Sequence, residues 1–171
     1  MSIGKLDSLL KKIDKLEDIP GGVLRVNVSR QIQKVNGYAR DNCPTYDGEL
    51  RNSIHAYSEV TGDGVRGICY TTKKYAPYVE LGAGPKGEAD HKGISPAITP
   101  SYTQQPWFVH ESQLGRAAEV YRWPSINTPD GRFYICSGQP AHPYMYPALK
   151  NNENRIMQEL GDDLKKEIKK V

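Results

Sequence analysis

Cysteine, phenylalanine and one-sided charge are all scarce in this chain, and each shortage removes a class of protein. The three cysteines, Cys43, Cys69 and Cys136, are odd in number and far apart. Neither a disulfide framework nor the paired close ligands of a zinc site fits that spacing, so the thiols are expected to be reduced and mostly buried. No run approaches the roughly 18 apolar residues of a membrane span, and the opening MSIGKLDSLLKK has no apolar signal core, so neither a membrane anchor nor export by a signal peptide is expected. The 23 Lys and Arg nearly balance the 20 Asp and Glu, leaving +3, which is too little for the broad basic footprint of a dedicated nucleic-acid binder.

Spacings that carry chemistry are missing as well. His91, His110, His142 and Cys136 form no His-x-x-x-His or Cys-x-x-Cys pair, and no serine sits in a nucleophile elbow. The segment Gly82-Ala83-Gly84-Pro85-Lys86-Gly87 superficially suggests a phosphate loop but lacks the Gly-Lys-Ser/Thr ending and a following helix, so a flexible loop is expected there. No catalytic residue, metal ligand or cofactor is therefore assigned. Two rival classes keep a defined test. A small metal-dependent hydrolase or nuclease drawing on residues 88–142 would lose turnover with His110 or His142, and a nonspecific DNA-binding or toxin-like module would bind DNA with a steep salt dependence.

What the chain has in quantity is tyrosine, 11 against 2 phenylalanines. A large ring with a polar tip suits half-buried strands and subunit interfaces. With 171 residues, 37% of them hydrophobic, the composition fits one folded domain. Leu6, Leu9, Leu10, Ile13 and Leu16 recur at helical spacing up to a break at Pro20-Gly21-Gly22. A second helix then carries Leu24, Val28, Ile32, Val35 and Ala39 on one face and ends by Cys43-Pro44. Residues 53–60 and 65–72 read as a β-hairpin around Thr61-Gly62-Asp63-Gly64, and 75–82 as a short helix or turn admitting Pro77 in its first turn. Residues 83–115 read as an inserted loop or lobe, 117–123 and 131–137 as two more strands, and Leu149, Ile156, Leu160, Leu164 and Ile168 as the stripe of a closing helix of about 20 residues with Pro147 in its first turn. The fold class is α+β: an antiparallel sheet of about four strands with N-terminal helices and a long C-terminal helix packed on it.

Three segments, in order, carry a family resemblance. Asp47-Gly48-Glu49-Leu50-Arg51-Asn52-Ser53-Ile54 resembles the T-G-x-L-R-x-S-I segment of a family of tailed-phage neck proteins typified by gene product ten of a lambdoid coliphage. Tyr75-Ala76-Pro77-Tyr78-Val79-Glu80-Leu81-Gly82 resembles its Y-A-x-y-V-E-x-G segment. Residues 138–149, ending Pro143-Tyr144-Met145-Tyr146-Pro147-Ala148-Leu149, resemble its P-F-L-x-P-A-L entry to the last helix. Asp47, Ala83, Tyr144 and Met145 depart from the pattern, and the 83–115 lobe has no counterpart in the compact form of the family.

The resemblance implies a structural virion protein of the neck, made in the host cytoplasm. It implies assembly with copies of itself into a ring of six or twelve, between a head-completion or connector protein and a tail terminator, around passing double-stranded DNA read without sequence specificity. No catalysis and no membrane come with it. Gly48 and Gly82 are read as serving backbone geometry, and Arg51 and Glu80 as either two solvated surface charges or a pair that meets within a subunit or across the ring. Tyr102, Trp107, Phe108 and Trp123 are candidate interface anchors, with a satellite core pinning the lobe as the alternative. Lys165, Lys166, Lys169 and Lys170 are candidates to line the DNA lumen, though the wet face of an amphipathic helix accounts for them better.

Overall fold

A computed structural model of the chain describes residues 3–45, 47–114 and 122–170, with side chains from residue 22 onward. Helix α1 runs from Ile3 to Asn42, 40 residues without interruption. The break expected at Pro20-Gly21-Gly22 does not occur. Proline fixes φ near a helical value and forfeits one hydrogen bond, and glycine accepts helical angles as readily as turn angles, so neither compels the chain to leave the helix. The stripe read from Leu6 to Leu16 lies outside the described side chains.

The fold is α+β with antiparallel strands, but the strands form two sheets, not one of four. The chain divides into two compact units, residues 1–73 with 144–171, and residues 74–143. The expected insertion at 83–115 is thus part of a wider unit with elements of its own.

In the first unit, helix α2 (Glu49–Asn52) leads into the hairpin β1 (Ile54–Thr61) and β2 (Gly64–Thr71), which pairs Ile54 with Thr71 and closes at Thr61 and Gly64. The hairpin lies on α1, where Ile32, Val35, Ala39 and Cys43 form a buried stripe at helical spacing. Approach is close at Gly67, where an added Cβ would stand 3.1 Å from that of Ile32. Ile54 is wholly buried, a contribution of about 1.5–3 kcal/mol, and Ser53 beside it is held by Leu50 O and Thr71 Oγ1, each at 2.7 Å. The closing helix is two helices, α5 (Met145–Lys150) and α6 (Glu153–Ile168), both packed on α1. Glu153, which interrupts the apolar stripe, opens α6 and pairs with Lys150 at 2.6 Å. Ile156, Leu160 and Leu164 are half-buried, whereas two residues expected on the same stripe are exposed: Leu149, which precedes the break at Asn151-Asn152, and Ile168, the last residue of α6.

The second unit holds α3 (Ala76–Leu81), with Pro77 in its first turn as expected, α4 (Gly84–Ala89), and a sheet ordered β3-β5-β4 from Trp107–His110, Gly131–Cys136 and Ser125–Thr128. Strand β3 and helix α4 fall where an irregular lobe is expected. The strand expected at 117–123 lies outside the described residues over 117–121, and Arg122 and Trp123 are not in a strand. Strand β4, within the segment expected to turn, pairs with β5. Both hairpins close on the same sequence, Thr-x-Asp-Gly, and in both the threonine hydroxyl donates to the glycine carbonyl, Thr61 to Gly64 at 3.2 Å and Thr128 to Gly131 at 2.9 Å.

Candidate functional site

The motif segments occupy positions that set the fold. In the first unit, Gly48 takes φ 81° ahead of α2, Leu50 and Ser53 are buried, and Arg51 Nη2 lies 3.4 Å from Asp41 Oδ1. Arg51 therefore has an ion-pair partner on its own unit's α1, while Glu80 belongs to α3 of the second unit. Ala148 is buried against the α1 side of the first unit and Tyr144 is 1% exposed, the phenol standing where the family pattern has phenylalanine.

In the second unit the two remaining segments are laced together. Val79 O accepts from His142 N at 2.8 Å, Gln139 Nε2 donates to Tyr78 O at 2.9 Å, and Ala83 and Gln139 exchange two backbone bonds of 2.9 Å. The lacing needs glycine: Gly82 has φ 82°, and a Cβ there would stand 2.9 Å from Ala141 N. Ala76 is buried, Tyr75 is exposed, Val79 is half-buried, and Pro143 packs near Gly93. The glycine segment 82–87 is not the expected flexible loop. It enters α4 directly, and its N–H groups are spent on protein carbonyls, Lys86 on Ser137 and Gly87 on Ala83.

The four candidate anchors separate. Tyr102 donates its hydroxyl to Leu81 O at 2.7 Å and stacks on His91 with ring centres 5.7 Å apart. Its partial burial, and then the nearby Glu88 carboxylate, push its phenol above the ordinary range. Trp107 closes over Gly84, where a Cβ would meet its ring at 2.8 Å. These two pin their own unit, as in the satellite-core alternative. Trp123 is half-buried, and Phe108 is 59% exposed.

All four candidate lysines are exposed on or just past α6, and three sit beside acids three residues away: Lys165 with Asp162 at 3.8 Å, Lys166 with Asp163 at 3.5 Å, and Lys170 with Glu167 at 2.6 Å. Such pairs locally cancel the attraction for phosphate and suit the wet face of a helix. His110 is engaged locally: Ser112 N donates to its Nδ1 at 3.3 Å, and its Nε2 lies 3.2 Å from Asp130 O. His142 is exposed on the chain that laces to α3. Among the described residues no three His, Cys, Asp or Glu side chains stand together so as to hold a metal ion. Cys43 and Cys136 are buried and Cys69 is half-buried.

Sequence reasoning missed a polar seam between α1 and α6. Glu159 accepts from Gln31 Nε2 at 2.7 Å and from Lys34 Nζ, with Arg155 of its own helix at 3.9 Å. Arg30 pairs with Asp163 at 2.9 Å, and Arg155 reaches the Tyr38 hydroxyl while its guanidinium lies 5.3 Å from the centre of that ring. The bonds from Lys34 and Gln31 hold the Glu159 carboxyl below the usual carboxylate range. Gln31 is 3% exposed and Asn27, one turn earlier, 4%. That i, i+4 amide pair inside an apolar-patterned helix was the available signal.

Compared with known proteins, the chain matches no family model, no curated protein and no solved structure. Among the described residues no helix is long and apolar enough to cross a membrane.

Proposed function

We propose that this chain is a structural subunit of a tailed-phage neck, assembling with copies of itself into a ring of six or twelve that joins the head connector to the tail terminator and lets double-stranded DNA pass. The observation that carries the reading is the ordered set of three motif segments, and its support is the use the fold makes of them. Ser53, Ile54, Ala76, Tyr144 and Ala148 are buried, and Gly82 stands where no side chain fits. The segments thus build framework instead of presenting reactive groups. Lysines paired with neighbouring acids are compatible with a channel that must release its DNA, since phosphate affinity grows with each uncompensated cation. Head-to-tail contacts that close by rotation give such a ring without further machinery.

The test is to inactivate the reading frame in the phage or prophage that carries it and to image the particles released. Filled capsids and free tails that fail to join are expected, with joining restored by supplying the chain in trans. Normally tailed particles in its absence overturn the proposal.

A further inference from the structure

Helix α1 turns two different stripes towards its neighbours. Val28, Ile32, Val35 and Ala39 recur at helical spacing beneath the hairpin, so close that a Cβ at Gly67 would stand 3.1 Å from that of Ile32 and 3.2 Å from Cγ1 of Val28. Asn27, Gln31, Lys34 and Tyr38 make the second stripe, and from Gln31 onward each of these side chains bonds to α6. The first stripe is apolar at every position, the second polar at every position. Baring the first puts apolar surface into water, whereas amides, an ammonium and a phenol exchange a covering helix for water at little cost.

The helix over the polar stripe is held without a core of its own. All 16 residues of α6 are half-buried or exposed; Ile156, Leu160 and Leu164 are half-buried, and Met157 is 66% exposed. Acids of α6 meet bases of α1 across the seam, Asp163 with Arg30 at 2.9 Å and Glu159 with Lys34, all four side chains open to solvent. Gln31 Nε2 donates to Glu159 at 2.7 Å, but its Oε1 is buried and finds no donor among the described residues, a penalty that lifting α6 removes by admitting water. Asn151-Asn152 joins α6 to α5, and α5 is fixed by Tyr144 and Ala148, each 1% exposed.

We infer that α6 is a detachable arm, which leaves α1 as a unit about Asn151-Asn152 while α1, α5 and the hairpin stay folded, and whose hold is set by the ionic seam. Salt is the lever, because pairs open to solvent are screened as ionic strength rises, while the apolar stripe under the hairpin is not. Once detached, a helix of 16 residues is marginal in water, so its amides exchange with solvent during each opening while those of α1 remain protected. The inference does not rest on the neck reading, and the two fail separately.

Hydrogen exchange of the full chain, read amide by amide, is the test. Residues 157–168 are expected to share one level of protection, at least about tenfold below that of residues 31–39 of α1. Sodium chloride at about 1 M should lower it a further three- to tenfold, roughly what two solvent-open pairs supply, with α1 and the hairpin unchanged. Glu159→Gln should lower it about threefold, whereas Lys165→Gln, whose ammonium faces Asp162 of its own helix, should leave it within about twofold. Equal protection of α6 and α1 overturns the inference, as does a protection that grades off towards residue 168 in the manner of a fraying end. So does an arm indifferent to salt and to Glu159→Gln, or a loss that the hairpin shares in full.

Discussion

Replacing Gly138 with alanine separates two costs that a glycine in a tight crossing conceals. Gly138 has φ 76°, where an L side chain costs about 1–2 kcal/mol wherever it occurs. A Cβ at this position would in addition run into the Ala83 carbonyl group and stand 2.9 Å from Gly84 Cα. Relieving that collision means parting the two 2.9 Å backbone bonds between Ala83 and Gln139, each worth about 0.5–1.5 kcal/mol. The sum is about 2–5 kcal/mol lost from the second unit. Gly93 is the control, with φ 80° and its nearest neighbour, Pro143 Cγ, 3.3 Å from the added Cβ, so Gly93→Ala is expected to cost only the conformational ~1–2 kcal/mol. The assay is urea unfolding followed by tryptophan fluorescence, because both tryptophans, Trp107 and Trp123, belong to this unit. Equal losses for the two variants would refute the reasoning, since the crossing at Ala83 would then contribute nothing of its own.

Ile54→Ala should destabilise the first unit by about 2–5 kcal/mol, because the side chain is wholly buried under α1; urea unfolding read by circular dichroism, dominated by the helices of that unit, checks it, and a loss under ~1 kcal/mol contradicts the packing. Gly37→Ala should stabilise α1 by up to about 1 kcal/mol, since nothing lies within 4 Å of the added Cβ; a measurable loss would mean that the helix is not formed there. Glu159 titrates below its ordinary value, so the stability it supplies is present above the unfolded carboxylate pKa of about 4.3 and drains away as the pH falls through the lower folded one. Glu159→Gln should therefore flatten the decline of urea midpoint between about pH 5 and pH 3, and superimposable pH profiles for wild type and variant would exclude the Lys34 and Gln31 bonds as a source of that stability.

The fate of the site residues follows from how far each signal reaches along the chain. Gly48 and Gly82 were legible because a positive φ beside a short helix is a local demand, and both take φ near 80°. Arg51 was legible as a charge, but its ion-pair partner within its own unit, Asp41 of α1, was not, because that pairing depends on α2 lying beside α1. Tyr102, Trp107 and Phe108 look alike in sequence. Only the register and the neighbouring backbone turn the first two inward and the third outward.

By itself the sequence determined what short-range geometry can dictate. The β1–β2 hairpin closes at Thr61 and Gly64 as its turn residues require, and Pro77 sits in a first helical turn. Tertiary structure alone decided that the strands divide between two sheets and that Trp107–His110 is a strand. Four residues of mixed burial carry no periodicity, and a strand of that length exists only because Phe133 to Cys136, more than twenty residues away, offers its hydrogen bonds. Partner choice of this kind is a long-range energy, and no local pattern of apolar and polar residues encodes it.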